Sequence, residues 1–147
     1  MQLGVIGLGR MGQIVVDRCL AAGHDVVAFD LSAEATATAA TAGATPAESV
    51  ADVCDRLDGS GDDKRLWLMV PAGDPVDATL ADLEPHLDAD DVVVDGGNSH
   101  FEASVRRAAA TDAAYLDCGT SGGPASAEAG FSLMIGGPEW ADEELAP

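Results

Sequence analysis

Three glycines near the start of the chain have a spacing suited to binding phosphate. Gly7, Gly9 and Gly12 follow a short apolar run and precede a stretch with helical periodicity. In this arrangement the first glycine permits a tight turn, the second lets backbone approach a pyrophosphate, and the third lets helix and strand pack closely. The helix N-terminus adds free N–H groups and a partial positive charge. The sequence GLGRMG therefore predicts a dinucleotide site, although such turns also join strands to helices for purely structural reasons.

An acidic residue ends the next apolar strand. Asp30 follows Val26–Phe29, where a carboxylate can accept hydrogen bonds from the ribose hydroxyls on the adenine side of a dinucleotide. The same carboxylate would repel the 2′-phosphate of NADP, and no arginine follows it. Asp30 thus favours NAD over NADP as the cofactor. The alternative is that Asp30 is an ordinary carboxylate of a strand-end turn.

Three later turns also follow apolar strands and carry candidate binding groups. They are Pro71-Ala72-Gly73, Gly96-Gly97-Asn98, and the segment 118–124, which is rich in glycine and hydroxyl groups. Because ligands of an open α/β sheet lie outside the carboxyl ends of its strands, we expect these turns beside the bound dinucleotide. The Asn98 amide offers donors and an acceptor, and a glycine-rich loop can bind an oxyanion.

The elements that must position these turns alternate along the chain. Apolar runs predict strands at 3–6, 26–29, 66–70, 92–95, 114–117 and 131–135. Helical spacing and capping residues predict helices at 14–22, 31–42, 46–57, 75–87, 99–110 and after Pro138, with Ser99 and Glu102 as a capping box. This alternation predicts an α/β fold, a doubly wound and mostly parallel sheet with helices on both faces. We expect residues 1–147 to form one domain.

The composition excludes some classes of partner. The formal net charge is −19, with 26 acidic residues against seven basic ones, and the acids are spread along the whole chain. Such a surface repels nucleic acid. Scarce lysine and abundant alanine suggest a protein of an extreme halophile, in which salt screens the self-repulsion. No apolar run is long enough to span a membrane.

The other reactive side chains are not expected to do chemistry. Cys19, Cys54 and Cys118 form neither a disulfide pattern nor a zinc site, so we expect packing roles in a reducing cytoplasm and no metal. His86 and His100 are interpreted as surface residues at helix ends. No residue of the chain is assigned a catalytic role.

Taken together, the motifs resemble those of the 6-phosphogluconate dehydrogenases, within the wider β-hydroxyacid dehydrogenase group. The resemblance covers essentially the whole chain and rests on GLGRMG at 7–12, MVPAG at 69–73, DGGNSHF at 95–101, and DCGTSGG at 117–123 followed by FSLMIGG at 131–137. DGGNS is the discriminating motif, because relatives that oxidise 3-hydroxyisobutyrate or tartronate semialdehyde usually show a DxST pattern there.

The resemblance implies a Rossmann-type fold and a role for each matching position. The adenosine and pyrophosphate would be held by Gly7, Leu8, Gly9, Arg10, Met11, Gly12, Asp30, Leu31 and Ser32. The nicotinamide ribose would lie against Val70, Pro71 and Ala72. Asn98 would contact both nicotinamide and substrate, and 6-phosphogluconate would bind to Ser121, Gly122 and Gly123. Two departures from the family pattern are informative. NADP-dependent members generally carry Asn-Arg-Thr where this chain has Asp30-Leu31-Ser32, and Pro124-Ala125-Ser126 stands where the family often has Glu-Glu-Gly.

The family reaction is an oxidative decarboxylation of the pentose phosphate pathway. Hydride leaves C3 of 6-phosphogluconate for the nicotinamide, the β-keto acid loses CO2, and the enediol is reprotonated to ribulose 5-phosphate. The family's acid/base lysine and glutamate, and its helical substrate and dimerisation domain, would follow Pro147. Lys64, the one lysine present, is expected at the amino end of a strand, away from the site.

We therefore expect an NAD-binding domain of a homo-oligomeric enzyme, inactive by itself. The alternatives are a β-hydroxyacid dehydrogenase acting on another small acid and a stand-alone NAD-binding regulatory module.

Overall fold

Seven strands form a single sheet in the order β3-β2-β1-β4-β5-β6-β7. The computed structural model describes residues 1–58, 63–122 and 131–145. Neighbouring strands are parallel except β6 and β7, which pair antiparallel. The strands are β1 (Gln2–Ile6), β2 (Asp25–Phe29), β3 (Thr45–Pro46), β4 (Arg65–Leu68), β5 (Val92–Asp95), β6 (Ala114–Ser121) and β7 (Ser132–Gly136).

Helices cover both faces of this sheet, as the alternation of elements predicts. One face carries α3 and α4, whose apolar residues pack with Ile6, Leu68 and Val93, and α5, which is bonded to α4 through Arg107 and Asp77. The other face carries α1, α2 and α6. The helices are α1 (Arg10–Ala21), α2 (Ala33–Ala42), α3 (Val50–Asp58), α4 (Asp74–Leu83), α5 (Phe101–Ala108) and α6 (Glu139–Leu145), with a 3₁₀ turn at Glu84–His86. The predicted doubly wound α/β fold is confirmed.

Several predicted boundaries were wrong for reasons that involve single residues. Pro46 does not open a helix. It pairs with β2 as part of β3, and α3 begins at Val50 after Ser49, whose Oγ accepts from Asp52 N–H at 3.0 Å. Helix α4 ends at Leu83 rather than Leu87, because Pro85 has no N–H to continue the helical ladder. Helix α1 begins at Arg10, four residues earlier than predicted.

The last two strands also differ from the prediction. Residues 118–121, expected in a loop, extend β6 as far as Ser121. They stay extended because they pair antiparallel with β7, Gly119 facing Met134 and Ser121 facing Ser132. The part of the predicted loop from Gly123 to Pro124 lies outside the described residues.

The amino ends of the strands carry a buried ion pair. Lys64 precedes β4, and its Nζ lies 3.1 Å from Oδ2 of Asp91, with both side chains under a tenth exposed. Asp91 Oδ1 also accepts from Lys64 N–H at 2.7 Å. As predicted, this lysine lies at the amino edge of the sheet, and the candidate site must be sought at the opposite edge.

Candidate functional site

The candidate turns meet at the carboxyl edge of the sheet. Strand order reverses between β1 and β4, whose following turns start from opposite faces. A crevice outside the carboxyl ends of the strands at such a switch point is where ligands bind in open α/β sheets. The turns after β1 and β2 lie on one side of this point, and the turns after β4, β5 and β6 lie on the other.

The glycine turn after β1 leaves no room for side chains at two positions and leaves one position open. Gly7 has φ 95°, and a β-carbon on it would lie 2.7 Å from the Met69 carbonyl carbon and oxygen. A β-carbon on Gly12 would lie 2.0 Å from the Gly7 carbonyl oxygen. On Gly9 it would meet no heavy atom within 4 Å. Gly7 and Gly12 thus permit the turn and the close packing of helix on strand, while Gly9 leaves space above the backbone.

The carboxylate of Asp30 is held against this turn. Its Oδ2 accepts from Leu8 N–H at 2.6 Å, and its Oδ1 accepts from Ser32 N–H at 2.7 Å. The Leu8 side chain is buried among the apolar residues under α1, so Leu8 contributes to the site through its backbone. A carboxylate has about four lone-pair sites, and two remain to accept from ribose hydroxyls. Asp30 is half-buried, whereas Leu31 beside it is 97% exposed.

The N-terminus of α1 points a set of backbone donors at the same space. Gly9 is its N-cap, with φ −61°, and no side chain caps the helix. Arg10 is exposed and Met11 is half-buried. Uncapped N–H groups, the positive end of the helix and the open space at Gly9 together fit a pyrophosphate. With Asp30 beside them, the residues present fit the adenine side of a dinucleotide.

On the other side of the switch point, the turns after β4 and β5 touch each other. A β-carbon placed on Gly97 would lie 2.5 Å from the Val70 carbonyl oxygen and 3.6 Å from the Ala72 nitrogen. Val70 is half-buried, and Pro71 and Ala72 are exposed. Only a residue without a side chain at position 97 allows these two turns to lie so close.

Asn98 occupies an unusual backbone conformation between these turns and β6. It is the one non-glycine residue with positive φ, 58°, among the described residues, and asparagine tolerates this region better than most residues. Its Oδ1 accepts from Thr120 N–H at 3.2 Å, and the residue is exposed. The structure thus brings the predicted Asn98 to the end of β6, next to Ser121.

A buried carboxylate holds the turn that contains Asn98. Asp95 is fully buried and accepts from Gly97 N–H at 3.0 Å, from Ser99 Oγ at 2.6 Å and from the Tyr115 hydroxyl at 2.5 Å. The predicted capping box at Ser99 was therefore wrong, because that hydroxyl is bonded to Asp95 instead. The N-cap of α5 is His100, whose Nδ1 accepts from Glu102 N–H at 3.4 Å.

Arg107 supplies the positive charge beside Asp95. Its side chain is 3% exposed, and its Nη1 lies 3.4 Å from Asp95 Oδ2. Its Nε donates to Asp77 Oδ1 at 2.8 Å, and this bond is the main reason that the pKa of Arg107 is raised. Burial, followed by the hydrogen bond to Asp95, raises the pKa of Tyr115 well above its ordinary value, so the hydroxyl keeps its proton.

Sequence reasoning did not identify this buried network. Asp95 was noted as a strand end and as the first residue of the DGGNSHF motif, and Arg107 and Tyr115 were not singled out. Neither of the latter two belongs to a predicted turn, and a buried arginine has no sequence pattern of its own. The only available signal was the opposite charges of Asp95 and Arg107, which the alternation of strands and helices places on neighbouring elements.

The predicted substrate positions are described in part. Ser121 and Gly122 are exposed at the end of β6, and Gly122 has φ 125°. Gly123 lies outside the described residues. The end of β6 thus lies beside Asn98, which is the arrangement that a shared contact with substrate requires.

The other histidine and cysteine side chains that the sequence offers differ in exposure. His100 is exposed at the start of α5, and Cys54 and Cys118 are buried. Burial raises the pKa of the Cys118 thiol, which disfavours the thiolate. Cys19 is half-buried rather than fully packed. Within the parts of the chain that the structure describes, no cluster of metal-ligating side chains occurs. In those same parts, no helix has the length and apolar character needed to cross a bilayer.

Comparison with known families gives a match along almost the whole chain. Residues 2–147 match the family described as the NAD binding domain of 6-phosphogluconate dehydrogenase. A 6-phosphogluconate dehydrogenase of Haloferax volcanii, named as NAD(+)-dependent and decarboxylating, is 80% identical over 147 residues, which are 100% of this chain and 48% of that protein. An enzyme of the same name from Bacillus subtilis is 34% identical, over 99% of this chain and 32% of its own length.

A solved structure shows the same fold. The 6-phosphogluconate dehydrogenase of Plasmodium falciparum, described without ligands, with its cofactor NADP+ and with 6-phosphogluconate, superposes with a TM-score of 0.86 at 27% identity. The match covers 97% of this chain and 32% of that one. The chain thus spans between about a third and a half of the length of these relatives.

Proposed function

Because the chain belongs to the family of NAD-binding domains of 6-phosphogluconate dehydrogenase, we propose that it forms the cofactor-binding half of an enzyme that oxidatively decarboxylates 6-phosphogluconate to ribulose 5-phosphate with NAD. The observation that carries this proposal is Asn98, exposed in a left-handed conformation and bonded to Thr120 at the end of β6. The 80% identity to an enzyme named as NAD(+)-dependent and decarboxylating supports it.

In this proposal the adenine half of the cofactor lies against the turns after β1 and β2. The pyrophosphate is held by the N–H groups at Gly9, Arg10 and Met11, above the space that Gly9 leaves open. The Arg10 side chain is exposed and can approach the phosphates. Asp30 accepts from the ribose hydroxyls through the lone pairs that Leu8 and Ser32 leave unused.

The nicotinamide half lies against Val70, Pro71 and Ala72, with Asn98 facing both the ring and the substrate. Ser121, Gly122 and Gly123 bind 6-phosphogluconate. Bound NAD would supply the oxidant, a nicotinamide ring that accepts hydride from C3 of the substrate. The task of this chain is to orient the two reactants, since correct placement alone contributes a large share of the rate. The acid/base lysine and glutamate of the family lie, in this proposal, outside residues 1–147, as does the helical dimerisation domain.

The test is turnover by the full-length protein. We expect equal amounts of NADH and CO2 from 6-phosphogluconate and NAD, and neither product from residues 1–147 alone. A matched assay with 3-hydroxyisobutyrate separates this function from that of the wider β-hydroxyacid dehydrogenase group. Oxidation of 3-hydroxyisobutyrate without CO2 release, or NADH formation by the short chain alone, would refute the proposal.

The cofactor preference is tested at Asp30. A hydrogen bond to a charged group contributes about 1.5–3 kcal/mol, so Asp30→Asn should weaken NAD binding by roughly tenfold or more and narrow the gap to NADP. Asp25→Asn removes the same charge from the exposed start of β2, at the opposite edge, and serves as the control. Tighter binding of NADP than NAD by the unaltered protein would overturn the choice of cofactor.

The charge of the chain leads to a proposal about its surroundings. With a formal net charge of −19 on 147 residues, the folded state needs high salt to screen its self-repulsion, because the screening length falls to about 3 Å at 1 M. Thermal unfolding followed from about 2 M to 0.1 M KCl should show a falling midpoint, and an unchanged midpoint would contradict adaptation to high salt. The three cysteines of the sequence, widely spaced, suit a reducing cytoplasm.

A further inference from the structure

The nicotinamide side of the site depends on the spacing of two turns from different strands. The turn at 70–73 follows β4, and the turn at 96–99 follows β5. They approach so closely that a β-carbon on Gly97 would lie 2.5 Å from Val70 O. In the site proposed above, one turn presents Val70 to Ala72 and the other presents Asn98, so their separation fixes the width of the nicotinamide pocket.

One side chain bonds both turns at once. Arg107 Nη2 donates to the Gly73 carbonyl oxygen at 3.0 Å, which fixes the first turn. Its Nη1 donates to Ser99 Oγ at 2.8 Å, which fixes the second. The guanidinium is planar, so these two bonds and the Nε bond to Asp77 set three protein groups at fixed distances from one another.

The positive charge of the same guanidinium is balanced by Asp95, the carboxylate that shapes the turn containing Asn98. Asp95 accepts from Gly97 N–H and Ser99 Oγ, the residues on either side of Asn98. Asn98 itself has positive φ, a conformation that persists when the surrounding structure determines it. Because the Arg107 side chain is 3% exposed and its bonds run to Gly73, Ser99 and Asp77, we expect it to act on a ligand through the turns it holds.

Resting on the proposed function, we propose that Arg107 is a positioning residue. By bonding Gly73 and Ser99 together it sets the distance between the 70–72 turn and Asn98, and with it the placement of the nicotinamide end of the cofactor. The adenine end, held by Asp30 and the glycine turn, does not depend on it.

The test compares NAD with ADP, which lacks both the nicotinamide and its ribose, in the full-length enzyme. Arg107→Lys keeps the charge but loses the planar fork. We expect its Kd for NAD to rise by about tenfold and its kcat to fall on the order of tenfold to a hundredfold, since small misplacements near reacting groups are costly. Its Kd for ADP should change by less than about twofold, as expected for distant sites. Ser99→Ala removes one of the two bonds from Arg107 to the turns, together with the bond from Ser99 to Asp95. It should shift the same quantities in the same direction by less, and it decides the question if Arg107→Lys does not fold.

Arg106→Lys is the matched control. Arg106 precedes Arg107 on α5 and also faces Asp77, at 3.4 Å, but its side chain is 65% exposed and it contacts neither turn. This control should bind both ligands as the unaltered enzyme does. Equal weakening of NAD and ADP binding in the Arg107 and Ser99 variants would show a general structural role and overturn the proposal, as would unchanged binding and turnover. If the unaltered enzyme does not oxidise 6-phosphogluconate while the NAD and ADP affinities still diverge in Arg107→Lys, the proposed function fails and the positioning role stands.

Discussion

The two sides of the crevice are held together by different kinds of interaction. On the proposed adenine side, the Asp30 carboxylate accepts from the backbone N–H groups of Leu8 and Ser32, and Gly7 N–H donates to the Phe29 carbonyl oxygen. On the proposed nicotinamide side, the bonds converge on two buried side chains, Asp95 of β5 and Arg107 of α5, whose partners lie up to 34 residues away. On the first side, the space between backbone atoms decides which substitutions fit. On the second side, the balance of buried charges decides.

The two sides therefore tolerate different substitutions. The glycine turn after β1 is disrupted when an atom is added, since backbone cannot move aside as a flexible side chain can. The network around Asp95 and Arg107 is destabilised when a partner is removed, since the remaining buried charge has no water to solvate it. Both kinds of failure can be produced by single substitutions that are almost isosteric.

The largest effect is expected from Gly12→Ala. The added β-carbon would lie 2.0 Å from the Gly7 carbonyl oxygen, so α1 must move away from the turn after β1. We expect NAD binding to become undetectable by calorimetry. Gly9→Ala is the counterpart, because its β-carbon meets nothing within 4 Å and its φ of −61° suits alanine. It should cost less than about 1 kcal/mol of stability and still weaken NAD binding. Normal NAD binding by Gly12→Ala would show that space around the glycine turn does not limit this side of the crevice.

The second prediction removes a buried charge from the other side. Asp95→Asn keeps the shape of the side chain but leaves Arg107 without its fully buried partner. Breaking a buried pair in this way costs about 3–5 kcal/mol, which urea denaturation at constant KCl will measure. Asp77→Asn removes an acid bonded to the same arginine, but its side chain is 44% exposed. An exposed pair contributes about 1 kcal/mol or less, and equal losses in the two variants would show that burial is not the deciding factor.

The smallest effect concerns pH and the buried hydroxyl of Tyr115, whose folded pKa is raised by burial and by Asp95. In the unfolded chain tyrosine ionises near its ordinary pKa of about 10. Above that pH the unfolded chain has lost a proton that the folded chain keeps, so stability falls by about 1.4 kcal/mol per pH unit until the folded pKa is reached. Tyr115 is the only tyrosine in the sequence, so its absorbance reports the ionisation directly. Tyr115→Phe should remove this part of the alkaline loss, and an identical pH profile in that variant would contradict the assignment.

Local patterns predicted the turn after β1 and the acid after β2 because each is recognisable from residues a few positions apart. The spacing of Gly7, Gly9 and Gly12 and the position of Asp30 predicted the turn and its acidic neighbour. The apolar runs also predicted the strands, except β3, which consists of Thr45 and Pro46 and has no apolar run.

The proposed nicotinamide side was harder to predict because contacts with other elements override the patterns seen in a short stretch of sequence. Ser99 and Glu102 satisfy the capping-box pattern, yet Ser99 Oγ is bonded to Asp95 and Arg107 instead. The extension of β6 to Ser121 depends on pairing with β7, which no window around residue 120 contains. In both places tertiary contacts decided the geometry of residues that the sequence had singled out as candidates.

The ion pair at the amino edge of the sheet makes Lys64 an intrinsic reporter of local unfolding at that edge. The sequence contains one lysine, and its amine is held beside Asp91 at 7% exposure. Reagents that acylate primary amines require an accessible, unprotonated nitrogen, so they would modify Lys64 only in molecules whose β4–β5 edge has opened. The rate of that labelling, read by mass spectrometry, would therefore follow local unfolding at the edge opposite the proposed cofactor site without any engineered probe.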